Sequence, residues 1–175
     1  NANKEHVSSI ALSRRLRPGK FVHTNFNFKI PSAALETKDM CKDKELQKYE
    51  IYDYPGQYGN GDRGNKLAKA QLQAAQALAE QVEGTSDCPR LAAGCTFTLS
   101  DHDFRSFNKE YLIIETSHMG EQTQVLEEQA DEGGTVYFNR FTAIPYSVPF
   151  RPIKKIKKPL IKSIQSAVVV GPQGE

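Results

Sequence analysis

The strongest strand of the chain is predicted at residues 110–118, whose sequence is EYLIIETSH. Its central run of Leu-Ile-Ile favours burial on both faces of a sheet. A second strand is predicted at residues 136–144, VYFNRFTAI, and a shorter one at residues 94–99, GCTFTL. In the shorter segment Cys95, Phe97 and Leu99 share one face, because side chains alternate along a strand. These segments predict a mainly β chain.

Strand patterns also occur nearer the start of the chain. Residues 7–16 alternate imperfectly between apolar and polar side chains. Phe26, Phe28 and Ile30 alternate with polar residues, which predicts a half-buried strand that ends at Pro31.

Turns and loops are predicted between these strands. Residues 50–56, EIYDYPG, are typical of a short strand that runs into a turn. Residues 32–49 are charged and lack a clean period, so we expect a solvated loop there. Residues 120–134 are rich in Glu and Gln and end in Gly-Gly, and we expect a hairpin loop.

One amphipathic helix is predicted over residues 66–83, where strong helix formers stand at nearly every position. Asn65 is the expected N-cap, and Gly84 is the expected residue just after the helix. Helical spacing places one apolar stripe on its surface. The stripe consists of Leu72, Ala75, Ala79 and Val82.

Bulk composition limits the class of protein. The chain has 175 residues, 38% of them hydrophobic, and a formal net charge of +2, which gives no global drive towards nucleic acid or membrane. No apolar run approaches the roughly 20 residues of a membrane span. Its three cysteines lack CxxC spacing, so we expect free thiols and no zinc site, although Cys88 and Cys95 stand close enough to pair across a turn.

Catalytic and cofactor candidates are few. Residues 101–103, Asp-His-Asp, form the most tempting cluster, because carboxylates beside an imidazole suit acid–base or metal chemistry. Adjacent residues on a strand point to opposite faces, so we favour a structural turn for Asp101, His102 and Asp103. The glycines at 56, 59, 61 and 64 do not place Lys66 in a phosphate-loop frame. We therefore expect no catalytic residue, cofactor or metal.

The end of the chain combines aromatic, proline and basic residues. Prolines at 145, 149, 152 and 159 exclude helix and central strand, so residues 151–159 are predicted to be an extended basic connector. We expect its charges to be solvated and nucleic acid not to be a partner. The aromatic residues that precede it suit either a barrel core or a subunit contact. The candidate interface and connector residues are Tyr137, Phe141, Tyr146, Phe150, Arg151 and Pro152.

Several short phrases, taken in order, carry a family resemblance. They are LRPG at 16–19, YDYPG at 52–56, LAAGCTFTL at 91–99, AIP at 143–145, FRP at 150–152 and SAVVVGP at 166–172. Together with the intervening helix, this series resembles the hub region of VgrG spike proteins of type VI secretion systems, which are relatives of phage baseplate hubs. Residues 162–165 depart from the family pattern before the last phrase.

The resemblance implies a fold: antiparallel, barrel-like hub domains with one amphipathic helix, then a linker and the start of a small OB-type barrel. It divides this chain into a hub-like β region at 1–63, a helix and barrel-like region at 64–150, the connector at 151–159 and the first strands of the small barrel at 160–175. Both ends look like cuts in a longer chain, so we expect an internal fragment.

The resemblance also implies a structural function. The full-length protein is expected to be a homotrimer that caps the tube of a contractile injection machine and carries a membrane-piercing needle and effectors. It would be made in the bacterial cytoplasm and secreted through the machine, with the tube protein, effectors and target membrane as partners. A phage or prophage baseplate hub is an alternative within this class. A hydrolase or carbohydrate-binding module that uses the loop at 101–103 is an alternative from another class.

Overall fold

The computed structural model describes residues 5–121 and 136–156, together with a few positions between 159 and 171. One helix and eight strands are assigned in these ranges, with two short 3-10 helices at Leu46–Lys48 and Arg105–Phe107. The elements are β1 Val7–Arg14, β2 Lys20–His23, β3 Thr37–Met40, β4 Glu50–Asp53, α1 Gly61–Gln76, β5 Glu80–Ser86, β6 Thr96–Thr98, β7 Glu110–Glu121 and β8 Val136–Pro145.

The larger sheet is a curled antiparallel half-barrel, here called the curled sheet. Its described strands follow the order β1-β5-β8-β7-β6. The longest ladder joins β7 and β8, from Tyr111 opposite Pro145 to Glu121 opposite Val136, with an irregularity between Ile113 and Glu115. The predicted strands at 110–118 and 136–144 are therefore confirmed, and so is the mainly β fold class.

An apolar core lies on one face of the curled sheet. Val82, Tyr111, Ile113, Phe141 and Ala143 are at most 2% exposed. Burial raises the pKa of the Tyr111 phenol above its ordinary value. Partly buried apolar side chains complete this core. They are Val7, Ile10, Leu12, Leu91, Phe97 and Leu99.

A smaller sheet carries α1 on one face and is here called the helix-backed sheet. Its described strands follow the order β3-β2-β4, and β2 runs parallel to β4, in contrast to the antiparallel pairing expected from the resemblance. Strand β3 falls inside the segment 32–49, which was wrongly predicted to be a loop. It forms because its backbone pairs with β2 over four residues, a long-range contact that leaves no apolar period in the sequence.

The helix prediction was right about existence and wrong about both ends. Helix α1 covers Gly61–Gln76 and is capped by the side chain of Asn60, which accepts a hydrogen bond from the Arg63 backbone at 2.9 Å. Asn65 therefore lies inside the helix and is not its cap.

The last four residues of the predicted helix, 80–83, belong to strand β5. Val82 is fully buried in the middle of the curled sheet, and Gly84 lies between β1 and β8 instead of after a helix. A Cβ at Gly84 would stand 2.6 Å from Cζ of Phe141 and 2.7 Å from the Ser9 carbonyl oxygen. Burial and strand pairing thus override local helix propensity here.

The predicted strand through Phe26, Phe28 and Ile30 was also wrong. These side chains are 60%, 76% and 57% exposed in a turn-rich segment. Asn27 organises the turn, because its side chain accepts from the Lys29 backbone at 3.0 Å and its carbonyl accepts from Ile30 at 3.1 Å. Asparagine offers such local hydrogen bonds in competition with a strand ladder.

Three other predictions fall partly outside the described residues. Gly120 and Glu121 belong to β7, where a loop was predicted. The rest of the predicted loop, residues 122–134, lies outside the described residues. Most of the predicted small barrel at 160–175 also lies outside. The proposed division into domains therefore stays a prediction. No helix in the described part of the chain is long and apolar enough to cross a membrane.

Candidate functional site

The YDYPG phrase ends in a buried cluster around Tyr58, here called the Tyr58 cluster. The Tyr58 side chain is 3% exposed, and its ring centroid lies 4.5 Å from that of His23. Its hydroxyl lies within hydrogen-bonding distance of the Leu35 carbonyl and 2.9 Å from the His23 carbonyl. Thr37 donates a further hydrogen bond to it at 3.3 Å. One hydroxyl thus joins β2, β3 and the segment that enters α1.

His23 completes the attachment of the helix. Its Nε2 lies 2.9 Å from the Gly64 carbonyl oxygen, and because a carbonyl only accepts, Nε2 must carry the proton. The imidazole is 2% exposed and lies edge-on to Phe21 at 5.4 Å. Sequence reasoning missed His23, Thr37 and Tyr58 as a group.

Two glycines of the former phosphate-loop candidate serve packing in this cluster. A Cβ at Gly56 would stand 2.2 Å from the Tyr58 ring, and a Cβ at Gly64 would stand 2.7 Å from the same ring and from Thr37 Oγ1. Both positions need glycine because the Tyr58 ring occupies that space. The glycines were the sequence signal that could have revealed this cluster, because they allow the backbone to approach an aromatic ring closely.

In the loop at 101–103, the contacts of His102 are with neighbouring residues of the same loop. Its Nδ1 accepts from the Phe104 backbone at 3.0 Å, and its ring stacks on Phe107 with centroids 4.5 Å apart. Asn108 closes the loop through hydrogen bonds to the His102 backbone N–H and carbonyl, at 3.0 and 2.9 Å. Among the described residues, no group of three or more His, Cys, Asp or Glu side chains is placed to hold a metal ion.

The six candidate interface and connector residues are spread along β8 and the segment after it. Phe141 is 2% exposed and belongs to the core of the curled sheet. Tyr137 is half-buried, and its hydroxyl lies 2.6 Å from His118 Nδ1 and accepts from Asn139 at 3.1 Å. The structure therefore gives these two aromatic residues contacts within the chain.

The remaining four lie beyond the end of β8. Tyr146 and Phe150 are 56% and 39% exposed, and Pro152 is exposed. Arg151 turns back onto the helix, where its Nε donates to the Gln73 side chain at 3.2 Å. The interface role of this group stays a prediction, and Tyr146 and Phe150 are its most accessible aromatic members.

Ion pairs connect β1, β5 and the segment before β7 within the curled sheet. Glu80, the first residue of β5, accepts from Lys109 Nζ at 2.6 Å and from Arg14 Nε at 2.9 Å. The hydrogen bond from Lys109 lowers the pKa of the Glu80 carboxyl, and the bond from Arg14 adds to this effect.

The three cysteines are free thiols, as expected.

With this geometry in place, the comparisons with known proteins define the class. The chain matches the family described as phage tail baseplate hub (GPD) over residues 1–124, and it belongs to that family. Two solved tail proteins share the fold: the 43 kDa tail protein of prophage MuSo2 from Shewanella oneidensis and a tail protein from Neisseria meningitidis. Their TM-scores are 0.53 and 0.55 at 13% and 12% sequence identity. The matched regions cover 79% and 81% of this chain and 40% of each tail protein.

Within this class, curated relatives are type VI secretion spikes. The spike protein VgrG3 of Vibrio cholerae is 33% identical over 153 residues, which are 86% of this chain and 15% of the relative. VgrG4b of Pseudomonas aeruginosa is 32% identical over 187 residues, which are 99% of this chain and 23% of the relative. The suspected resemblance to VgrG is thus confirmed, and the chain spans less than a quarter of either relative.

Proposed function

We propose that this chain is part of the hub of a homotrimeric spike carried on the tube of a type VI secretion machine. The observation that supports this most is the family match over residues 1–124 in a chain whose curated relatives are named as spike proteins. The fold likeness to two solved tail proteins agrees with it. A phage tail hub is the less specific alternative.

In this proposal the role is mechanical, and this part of the protein is not an enzyme. The curled sheet supplies a rigid wall because its core is almost fully buried and its β7–β8 ladder is long, from Tyr111 opposite Pro145 to Glu121 opposite Val136. Tyr146 and Phe150 supply aromatic surface for a neighbouring subunit, since exposed aromatic side chains are common anchors of interfaces. The connector at 151–159 passes force from the hub to the needle.

The proposed partners follow from the same role. They are two further copies of the full-length protein, the tube protein, secreted effectors and, through a needle, the membrane of the target cell. The protein is made in the cytoplasm and leaves the cell through the machine. Nucleic acid is not among the partners.

A segment exchange tests this function. The aligned segment of VgrG4b is replaced by this chain in a strain that depends on that spike for secretion. We expect tube protein in the culture medium, because a working hub is needed to build and fire the machine. An exchange that also carries Gly84→Val serves as the inactive control, since its added side chain would clash with Phe141 and the Ser9 carbonyl. Normal amounts of the exchanged spike in cells without secreted tube protein would refute the proposal.

A further inference from the structure

A groove of about 620 Å³ lies between the end of β1, the segment after β3 and the junction of α1 with β5. Leu16, Leu46, Ala79 and Val148 contribute apolar surface to it, and Leu16 is 67% exposed. The backbone N–H of Arg15 donates to the Ala79 carbonyl at 2.8 Å, which fixes the segment after β1 against this junction. This backbone hydrogen bond therefore holds one wall of the groove in place.

Arginines are concentrated along this groove. Arg14, Arg15 and Arg17 all line it, together with two carboxylates, Glu80 and Asp43. Glu80 is already paired with Arg14 and Lys109. Among the described residues, no carboxylate lies within 4.0 Å of the Arg15 or Arg17 guanidinium. The groove thus has excess positive charge beside apolar surface.

The side chain of Arg17 has a hydrogen-bond donor without an acceptor in the described part of the chain. Its Nε atom is buried and has no hydrogen-bond partner among the described residues. The Arg17 guanidinium lines the groove, and a carboxylate is the acceptor that matches a guanidinium best. Arg151 adds another cation nearby, because its partner Gln73 stands one helical turn before Gln76, which lines the groove.

We propose that this groove binds an extended acidic segment of a second protein, in which an apolar side chain lies between carboxylates. The carboxylates pair with Arg15 and Arg17, and the apolar side chain covers Leu16 and Leu46. A peptide suits the groove better than nucleic acid does, because the residues that line it include no aromatic side chain for base stacking. This surface goes beyond the hub role and does not depend on it.

Fluorescence anisotropy with the 175-residue chain tests the proposal. The probe is a fluorescein-labelled peptide of sequence Glu-Glu-Leu-Leu-Glu-Glu, and the comparison peptides carry Ser in place of Leu or Lys in place of Glu. We expect saturable binding of the probe, at least about tenfold weaker binding of both comparison peptides, and weaker binding at high salt.

Protein variants locate the site. Arg17→Gln and the exposed Arg15→Gln should each weaken binding about tenfold, as expected for a lost charged hydrogen bond. The matched control is Arg63→Gln, at the opposite end of α1, which should leave the affinity unchanged. Because Arg15 is exposed, its variant tests the site even if the Arg17 variant fails to fold.

Four results would overturn the proposal. They are no saturable binding of the probe, equal binding of the Ser peptide, an equal loss in Arg63→Gln, and equally effective competition by a single-stranded oligonucleotide.

Discussion

The curled sheet and the helix-backed sheet hold together in different ways. The curled sheet has a core of five apolar side chains that are almost fully buried, on strands of up to 12 residues. The helix-backed sheet has strands of four residues and a smaller apolar core of Phe21, Ala68 and Leu72. Beside that core lies the Tyr58 cluster, in which a hydroxyl and an imidazole meet buried backbone carbonyls.

The difference teaches how a short sheet becomes fixed. Four-residue strands bury too little apolar surface to specify their register alone. In the helix-backed sheet, hydrogen bonds from the Tyr58 cluster supply the missing specificity, because each buried carbonyl is satisfied in one arrangement only. We therefore expect apolar truncation to damage the curled sheet most, and loss of single polar atoms to damage the helix-backed sheet.

The largest expected effect is in the curled sheet. Ile113→Ala removes a fully buried side chain from β7 and should lower the free energy of unfolding by about 2–5 kcal/mol. Urea denaturation followed by circular dichroism measures it. Ile153→Ala is the matched control, because Ile153 is 50% exposed in the connector and should change stability by less than about 0.5 kcal/mol. Equal losses in the two variants would disprove the apolar account of this sheet.

The next effect is in the helix-backed sheet. Tyr58→Phe deletes only the hydroxyl and should cost about 1–3 kcal/mol, because it removes the single O–H proton that lies between the buried carbonyls of His23 and Leu35. Hydrogen exchange should show the loss of protection in β2, β3 and the start of α1, with the curled sheet unchanged. Tyr54→Phe is the control, since Tyr54 is 58% exposed. Uniform loss of protection across both sheets would argue against a local role for the Tyr58 cluster.

A smaller effect tests where the helix begins. Asn60→Ala removes the N-cap of α1 and should cost about 1 kcal/mol, whereas Asn65→Ala should be neutral or slightly stabilising because alanine is the better helix former. Thermal unfolding of the two variants compares them directly. If Asn65→Ala were the more damaging, the helix would start where sequence reasoning placed it.

The smallest effect concerns pH. The folded chain lowers the pKa of Glu80, so its ion pairs stabilise the fold above the ordinary carboxyl pKa of 4.5. That contribution is lost as the pH falls through the lowered pKa of the folded state. Glu80→Gln should therefore lose less stability than the parent chain over this acidic range, as measured by urea unfolding at a series of pH values. Parallel curves for the two proteins would mean that Glu80 contributes nothing.

The same comparison explains what the sequence could predict. Strands β7 and β8 were predictable because long apolar runs leave a clear local pattern. The helix-backed sheet was only partly predictable. Strand β4 was predicted, but β2 pairs in parallel with β4 although β3 lies between them in the sequence, and this pairing depends on contacts distant in sequence. The helix end was missed because residues 77–83 favour a helix locally, while burial of Val82 in the curled sheet decides the outcome.

The candidate site was predictable to a similar extent. Prolines indicated the irregular segment after β8, and the described residues 146–156 contain no strand or helix. Sequence alone left open whether each aromatic residue faces the core or the surface, because alternation along a strand separates two faces without saying which is buried, and Tyr146 and Phe150 lie beyond β8. The Tyr58 cluster was missed because its members are up to 41 residues apart along the chain.

Electron cryomicroscopy of the VgrG4b exchange bound to its tube tests the hub role most directly. The account predicts that the curled sheet forms part of a ring seated on the tube end, with Tyr146 and Phe150 at a subunit boundary and the connector leading away towards the needle. Density that placed the curled sheet outside the ring, with no contact to tube or neighbouring subunit, would contradict it.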